Sequence, residues 1–258
     1  MSDSITPITK IRLTYSTIKN PFKVILDKLG FYKGAEILHT SQKGIKFYSR
    51  SGTTDINEAI AILSGLEYPE KIIKNNKSKN PIVIDAGAHI GLFSLFIKNL
   101  KPSAQIFAIE PLKQNLKILT KNLAVNSIKD IKILNAALSD KNGKVNIILP
   151  SKTDFDAANI VSKSKLYYKK HIVRSLTLGQ LVNENNLDEV DLLKLDIEGA
   201  EYSIIIHDIN TIKSKIKNLL IEYHKEEEVE KITAILQNNG FRKVYEYRHI
   251  LGFNNTKL

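Results

Sequence analysis

The chain contains no cysteine and no tryptophan, and only five of its 38 Lys/Arg residues are arginines (Arg12, Arg50, Arg174, Arg242 and Arg248). Without cysteine there is no disulfide framework, no thiolate zinc or iron–sulfur centre and no cysteine nucleophile. Folds that depend on disulfide staples outside the cell are thereby excluded. Long apolar runs are missing too. The most apolar stretch, Ile82 to Ile97, is too short to span a bilayer and is interrupted by Asp85 and His89. The N-terminal residues never assemble the apolar core of a signal peptide. A cytoplasmic protein with no membrane span is expected.

What is present in excess is positive charge. Over 258 residues, 38 Lys/Arg stand against 27 Asp/Glu, a net of +11, with 43% hydrophobic content, enough for one packed domain with an extension. The charge is spread out: 13 basic against 7 acidic residues up to position 80, and 25 against 20 beyond it. Spread lysine charge with little arginine lacks the planar forks suited to phosphate and base recognition. Nucleic acid is therefore not the expected partner, and the lysines read as solvated faces.

A polar stretch, Lys74 to Asn80, divides the chain into an N-terminal extension (1–74) packed on the core and a main domain (75–258). The main domain alternates short apolar runs with helical patterns. Strands are predicted at Ile82–Ala86, Ile106–Ile109, Ile131–Leu134, Leu192–Leu195 and Leu219–Tyr223, and helices at Leu92–Leu100, Lys113–Val125, Ala200–Ile206 and Glu227–Asn238. Such alternation implies βαβ units and a largely parallel α/β sheet. Val244–Arg248 and Ile250–Phe253 leave no room for a crossover helix, so these last strands pair antiparallel. Another strand is read at Val145–Leu149, followed by a long polar binding loop from Ser151 to His171. The extension shows an amphipathic stretch near Phe22–Leu29, a strand at Ile45–Tyr48, and a helix from an N-cap at Asp55 to Leu66.

The strongest local signal is PIVIDAGAHIGLF (81–93), a buried strand ending in Asp85, a turn through Gly87, Ala88, His89 and Gly91, then an apolar helix. In open α/β sheets ligands bind beyond the carboxyl ends of the strands, where glycine lets backbone approach them. Glu110 ends the next strand, nineteen residues beyond Gly91, where a carboxylate can bind both ribose hydroxyls. Asp85 and Glu110 are thus expected to face one ligand. A dinucleotide fingerprint would carry glycine where His89 stands, and no Gly-Lys-Ser/Thr follows the turn. S-adenosylmethionine, which has no phosphates and carries an ammonium, suits this acidic loop better than NAD. After the third strand, Asn135 and the backbone of Ala136 are placed to meet an adenine edge.

The fourth strand leads into KLDIEGAE (194–201), with Lys194, Asp196 and Glu198 on one face and Glu201 in the first turn of the following helix. The fifth ends in IEYH (221–224), bringing Glu222 and His224 toward the same crevice. With these motifs the chain resembles the FkbM family of S-adenosylmethionine-dependent methyltransferases from about Pro81 to His224: VIDAGAHIG looks like its cofactor loop, IEP around Glu110 its ribose site, KLDIEGAE its hallmark and IEYH its later acidic motif. The resemblance implies a Rossmann-like class I methyltransferase sandwich, a mostly parallel seven-stranded sheet with an antiparallel last strand. It also implies O-methylation of a sugar, glycan or secondary metabolite.

A hydroxyl is barely acidic, so a base or a divalent metal must help remove its proton. Asp196, Glu222 and His224 are the catalytic candidates, with Asp196 also able to orient the methionine amine. Asp196 with Glu222 could instead hold Mg²⁺. Glu198, Tyr167 and His171 are candidate acceptor-site residues. An RNA 2′-O-methyltransferase and a non-catalytic binding module retaining the fold are the rival readings, and the acceptor and oligomeric state are left open.

Overall fold

The computed structural model describes residues 6–74, 78–150 and 168–258. Among them the chain forms, in order, helices α1 (Pro7–Thr17) and α2 (Pro21–Lys28), a hairpin of β1 (Glu36–Thr40) and β2 (Lys46–Arg50), then α3 (Asp55–Leu63) and α4 (Glu70–Lys74). The alternating region follows as β3 (Ile82–Ala86), α5 (Leu92–Leu100), β4 (Gln105–Ile109), α6 (Lys113–Val125) and β5 (Ile131–Leu134). Next come β6 (Ala137–Leu138), β7 (Gly143–Pro150), β8 (Tyr168–Leu176), α7 (Leu178–Glu184) and β9 (Leu192–Leu195). The chain ends with α8 (Glu201–His207), α9 (Ile209–Lys215), β10 (Asn218–Glu222), α10 (Val229–Asn238), β11 (Phe241–Tyr247) and β12 (Ile250–Asn255).

Seven strands form the main sheet in the order β11-β12-β10-β9-β3-β4-β5. The five strands from β10 to β5 are mutually parallel, whereas β12 runs antiparallel to both β10 and β11. The antiparallel strand is thus the last in sequence but second from the edge in space. Buried strands such as IVIDA and QIFAI read as unbroken apolar runs because both faces of the sheet are covered. Val83, Ile106 and Leu192 point to one layer, built from α3, α5 and α6; Ile84, Phe107 and Leu193 point to the other, built from α7 to α10. Residues ahead of the sheet join the first layer directly, with Ile18, Val24, Phe47 and Leu63 in the same cluster as Phe93 and Phe96.

Three local differences from the sequence reading have physical causes. Asp55 is not a cap: α3 follows Thr54, and the Asp55 carboxylate is taken by Arg50, accepting from its backbone amide at 2.9 Å and from Nε and Nη2 at 2.8 Å. The helix α7 was hidden by its shortness and an internal Gly179; Thr177 caps it, and Asp208 accepts from the amides of Leu178 and Gly179 at 3.0 Å. Residues Tyr168–His171, read as the end of a loop, belong to β8, which pairs antiparallel with β7 in a separate sheet β6-β8-β7.

The outer edge of β2 is closed by side chains. Asn122 and Asn126, one turn apart on α6, present their amides like a neighbouring strand. Asn122 accepts from the Tyr48 amide at 2.6 Å and donates to the carbonyls of Tyr48 at 3.4 Å and Ile90 at 2.8 Å; Asn126 accepts from the Lys46 amide at 2.9 Å. Asn122 is completely buried, so its loss strands polar groups of two segments away from water. Asn122→Ala should lower unfolding free energy by about 2–3 kcal/mol in urea titrations, whereas an exposed neutral change such as Thr120→Ala should stay within about 0.5 kcal/mol.

Candidate active site

The carboxyl ends of β3, β4, β9 and β10 meet around a buried ammonium. Parallel register sets Asp85 beside Lys194 on adjacent strands. The Lys194 side chain is 3% exposed, with Nζ 3.4 Å from Asp85 Oδ1, 3.1 Å from Asp196 Oδ2, and donating to the Gly87 carbonyl at 3.0 Å. Burial disfavours the ammonium, but Asp196 and Asp85 outweigh it and hold its pKa above the ordinary lysine value. Asp85 is fully buried and also accepts from Ser94 Oγ at 2.7 Å. Its carboxylate therefore lies beneath the crevice floor, occupied by Lys194 and Ser94, and does not face a ligand as the sequence suggested. Gly87 sits at φ +79°, and a Cβ there would lie 1.7 Å from the Asp196 carbonyl oxygen, so two loop backbones touch where only glycine fits.

The glycine loop spends its amides inside the protein. Gly87 and Ala88 donate to the Ile109 carbonyl at 3.0 and 2.9 Å, Gly91 donates to Ala88 at 2.7 Å, and the His89 amide donates to Glu110 Oε2 at 2.9 Å. A diphosphate needs such amides free. An uncharged nucleoside with a buried carboxylate beside it does not, so the loop fits S-adenosylmethionine. Glu110 is 4% exposed and accepts further from Leu112 at 2.8 Å and Asn115 at 3.2 Å. Burial raises its pKa, against the pull of these donors. Asn135 donates to the carbonyls of Glu110 and Pro111 at 3.1 and 2.9 Å, while the Ala136 amide already donates to Leu134 at 3.0 Å.

Beyond β9, the backbone turns through Glu198 (φ 58°) and Gly199 (φ 94°). Glu201, 1% exposed, pins this turn by accepting from the amides of Ile197 at 3.0 Å and Gly199 at 3.2 Å, and it reaches His224 Nδ1 at 3.0 Å. His224 Nε2 lies 3.8 Å from Asp196 and 3.6 Å from Glu198. Surrounded by these acids, Glu201 first, the imidazole is pushed up to about 9 and stays cationic through neutral pH. Glu222 behaves oppositely: burial, then the charge of Asp196, pushes it up to about 7. Among the described residues Asp196, Glu198 and His224 form the group able to surround a metal ion, with ligand atoms within 4.8 Å; Glu222, paired with Asp196 in the sequence reading, is not in it. His171 is exposed on β8 and contacts none of these groups. Tyr167 lies outside the described residues.

The sequence reading missed what the first 74 residues bring. Arg50, bound to Asp55, donates through Nη2 to His89 Nε2 at 2.9 Å and through Nη1 to Asn115 at 2.9 Å, the residue that holds Glu110. The other ring nitrogen, Nδ1, lies 2.7 Å from Glu58. Tyr68, 1% exposed and edge-on to Phe93, donates to Glu222 Oε2 at 3.3 Å. Beside it Glu67 is also pushed up to about 7, by burial and then by Glu222.

The family profile described as Methyltransferase FkbM domain matches residues 85–243. The chain belongs to this family. It is an S-adenosylmethionine-dependent methyltransferase with a Rossmann-like fold. Within the family's reach it is 29% identical over 195 residues to Methyltransferase sdnD of Sordaria araneosa, covering 64% of this chain and 75% of that protein. It is 25% identical over 178 residues to the 2-O-methyltransferase NoeI of Sinorhizobium fredii, covering 64% and 72%. The solved FkbM methyltransferase of Methylobacillus flagellatus aligns at 14% identity and TM-score 0.49, covering 92% of this chain and 60% of that one.

The His224–Glu201 pair makes stability depend on pH. A folded-state pKa of about 9 lies above the ordinary 6.5, so the contribution is complete below pH 6.5 and disappears as pH rises through 9. His224→Gln should therefore cost about 1–3 kcal/mol at pH 6, with the gap to wild type shrinking toward pH 9.5 in urea unfolding. An unchanged gap across that range would contradict the pairing.

Proposed function

We propose that this methyltransferase acts on a hydroxyl oxygen of a sugar, glycan or secondary metabolite, with Glu222 as the base. The observation that carries the reading is a half-buried carboxylate at the end of β10 that accepts from Tyr68 at 3.3 Å and that burial, then the charge of Asp196, pushes up to about 7. A base matched to the working pH makes proton removal effective as the new bond forms. Among the three candidates the local charges favour Glu222. His224 is held as a cation by Glu201, and Asp196 Oδ2 lies 3.1 Å from the Lys194 ammonium, whereas Glu222 changes charge in the neutral range. The kinship with a 2-O-methyltransferase supports oxygen as the acceptor atom.

When bound, S-adenosylmethionine supplies an electrophilic methyl group with a good leaving group. The chain's own residues do the rest. Glu110 is positioned to accept from ribose hydroxyls, with Asn135 and Ala136 bordering the base, and Asp196 and the Gly87–Gly91 turn hold the methionine end. Glu222 presents Oε1 to the acceptor hydroxyl while Tyr68 fixes Oε2, and Glu198 lines the acceptor side. Orientation of the hydroxyl against the methyl supplies most of the acceleration, up to roughly 7–11 kcal/mol in favourable cases. Mg²⁺ has no part in this reading: Asp196 Oδ2 already lies 3.1 Å from the Lys194 ammonium, so an ion held by Asp196 would sit beside a buried cation. The cytoplasm is the compartment proposed, and no helix among the described residues is long and apolar enough to cross a membrane.

The test is transfer of an isotopically labelled methyl group to a panel of hydroxylated acceptors, with the product resolved by NMR. A methyl ether is expected; transfer to nitrogen or carbon would overturn the reading. The rate should rise with pH through about 7 as Glu222 ionises. Glu222→Gln should lower kcat by roughly 10²–10⁴-fold while leaving S-adenosylhomocysteine affinity nearly unchanged. Addition of EDTA should leave the wild-type rate as it was, and strong inhibition would restore the metal.

A further inference from the structure

We propose that α1 and α2 form a peripheral docking surface for a bilayer containing anionic phospholipid. Ile8, Ile11 and Tyr15 repeat at i, i+3 and i+7 on α1, and Phe22, Ile25 and Leu29 repeat in the same way on α2. All six are exposed, from 39% for Ile25 to 78% for Ile8, and Phe31 just beyond is 72% exposed. Each helix is anchored by its other side, through Thr14 and Thr17 on α1 and Val24 and Asp27 on α2. Two consecutive helices thus each turn an apolar stripe to solvent, more than singly scattered surface residues explain.

Charge says what covers it. Lys10, Arg12, Lys19 and Lys28 are exposed among these stripes, and the one acidic residue from 6 to 35, Asp27, is buried. Apolar side chains framed by cations, without exposed acids, are the pattern of helices lying in the headgroup region of an anionic membrane. A second copy would bring like charges face to face. RNA would stack on aromatic rings, but Ile8, Ile11, Ile25 and Leu29 outnumber Tyr15, Phe22 and Phe31. At 11 and 8 residues, both helices are far too short to cross the hydrocarbon core and would lie along its surface.

The experiment is co-sedimentation of the full chain with vesicles of phosphatidylcholine alone or mixed with phosphatidylglycerol, with single-stranded RNA binding and sedimentation velocity in parallel. Expected is binding to the mixed vesicles only, weakened by salt, and reduced by at least about tenfold in Ile11→Ser/Leu29→Ser and in Lys10→Glu/Lys28→Glu. Circular dichroism confirms that both variants fold, as changes at exposed positions should allow. No binding to anionic vesicles would overturn the proposal, and so would vesicle binding indifferent to the serine variant. RNA binding or self-association abolished by the same variants, without vesicle binding, would assign the surface to those partners instead.

Discussion

A lysine ammonium sealed from water has to be neutralised where it lies, and the crevice is organised around that requirement at Lys194. An unpaired charge at such a depth costs several kcal/mol, so the loops after β3 and β9 are drawn onto one cation through Asp85, Asp196 and the Gly87 carbonyl. The contact between Gly87 and the Asp196 carbonyl follows from the same convergence. Asp196 therefore reaches the crevice with its orientation already set by Lys194. Phe93, whose ring centroid lies 5.6 Å from the same ammonium, seals the underside with the first turn of α5.

From this centre, polar connections run outward in both directions. Glu201 gathers the turn after β9 and holds His224, so that the ends of β9 and β10 share one carboxylate. Arg50 links Asp55 to His89 and, through Asn115, to Glu110. The hairpin β1–β2 is thereby tied to the Glu110 carboxylate through Asn115 and to the glycine loop through His89. A site whose orienting groups are themselves held by packing and hydrogen bonds is preorganised. Here the preorganising groups come largely from the segment with the least recognisable sequence.

The main sheet was legible because its inner strands are buried on both faces: the runs at 82–86 and 192–195 carry their own boundaries. Glu110, Asp196, Glu222 and His224 stood out because strand ends in a parallel sheet converge. The hub was less visible. Lys194 alternates along β9 like a solvent-facing residue, and only the pairing of Asp85 with Lys194 across adjacent strands turns it inward. Arg50, Glu58, Glu67 and Tyr68 show no spacing that could announce them, since their partners lie as far away as 154 positions, for Tyr68 and Glu222. Long-range pairings of single side chains leave no period to read. Of the ribbon β7–β8 only the first strand was read, at Val145–Leu149; β8 hides for another reason, since Lys170, His171 and Ile172 are all exposed and show none of the alternation that marks a half-buried strand.

The position of β12 has a consequence for biosynthesis. This strand, Ile250–Asn255, fills the gap between β10 and β11, although it is the last of the sheet to be translated. Until it leaves the ribosome, β10 has an open hydrogen-bonding edge and β11 has no partner in the sheet at all. Among the strands of this sheet, the one that closes it is therefore the last to be made. The nascent chain must keep an unpaired inner edge soluble while Glu222 waits at the end of β10 for its neighbour.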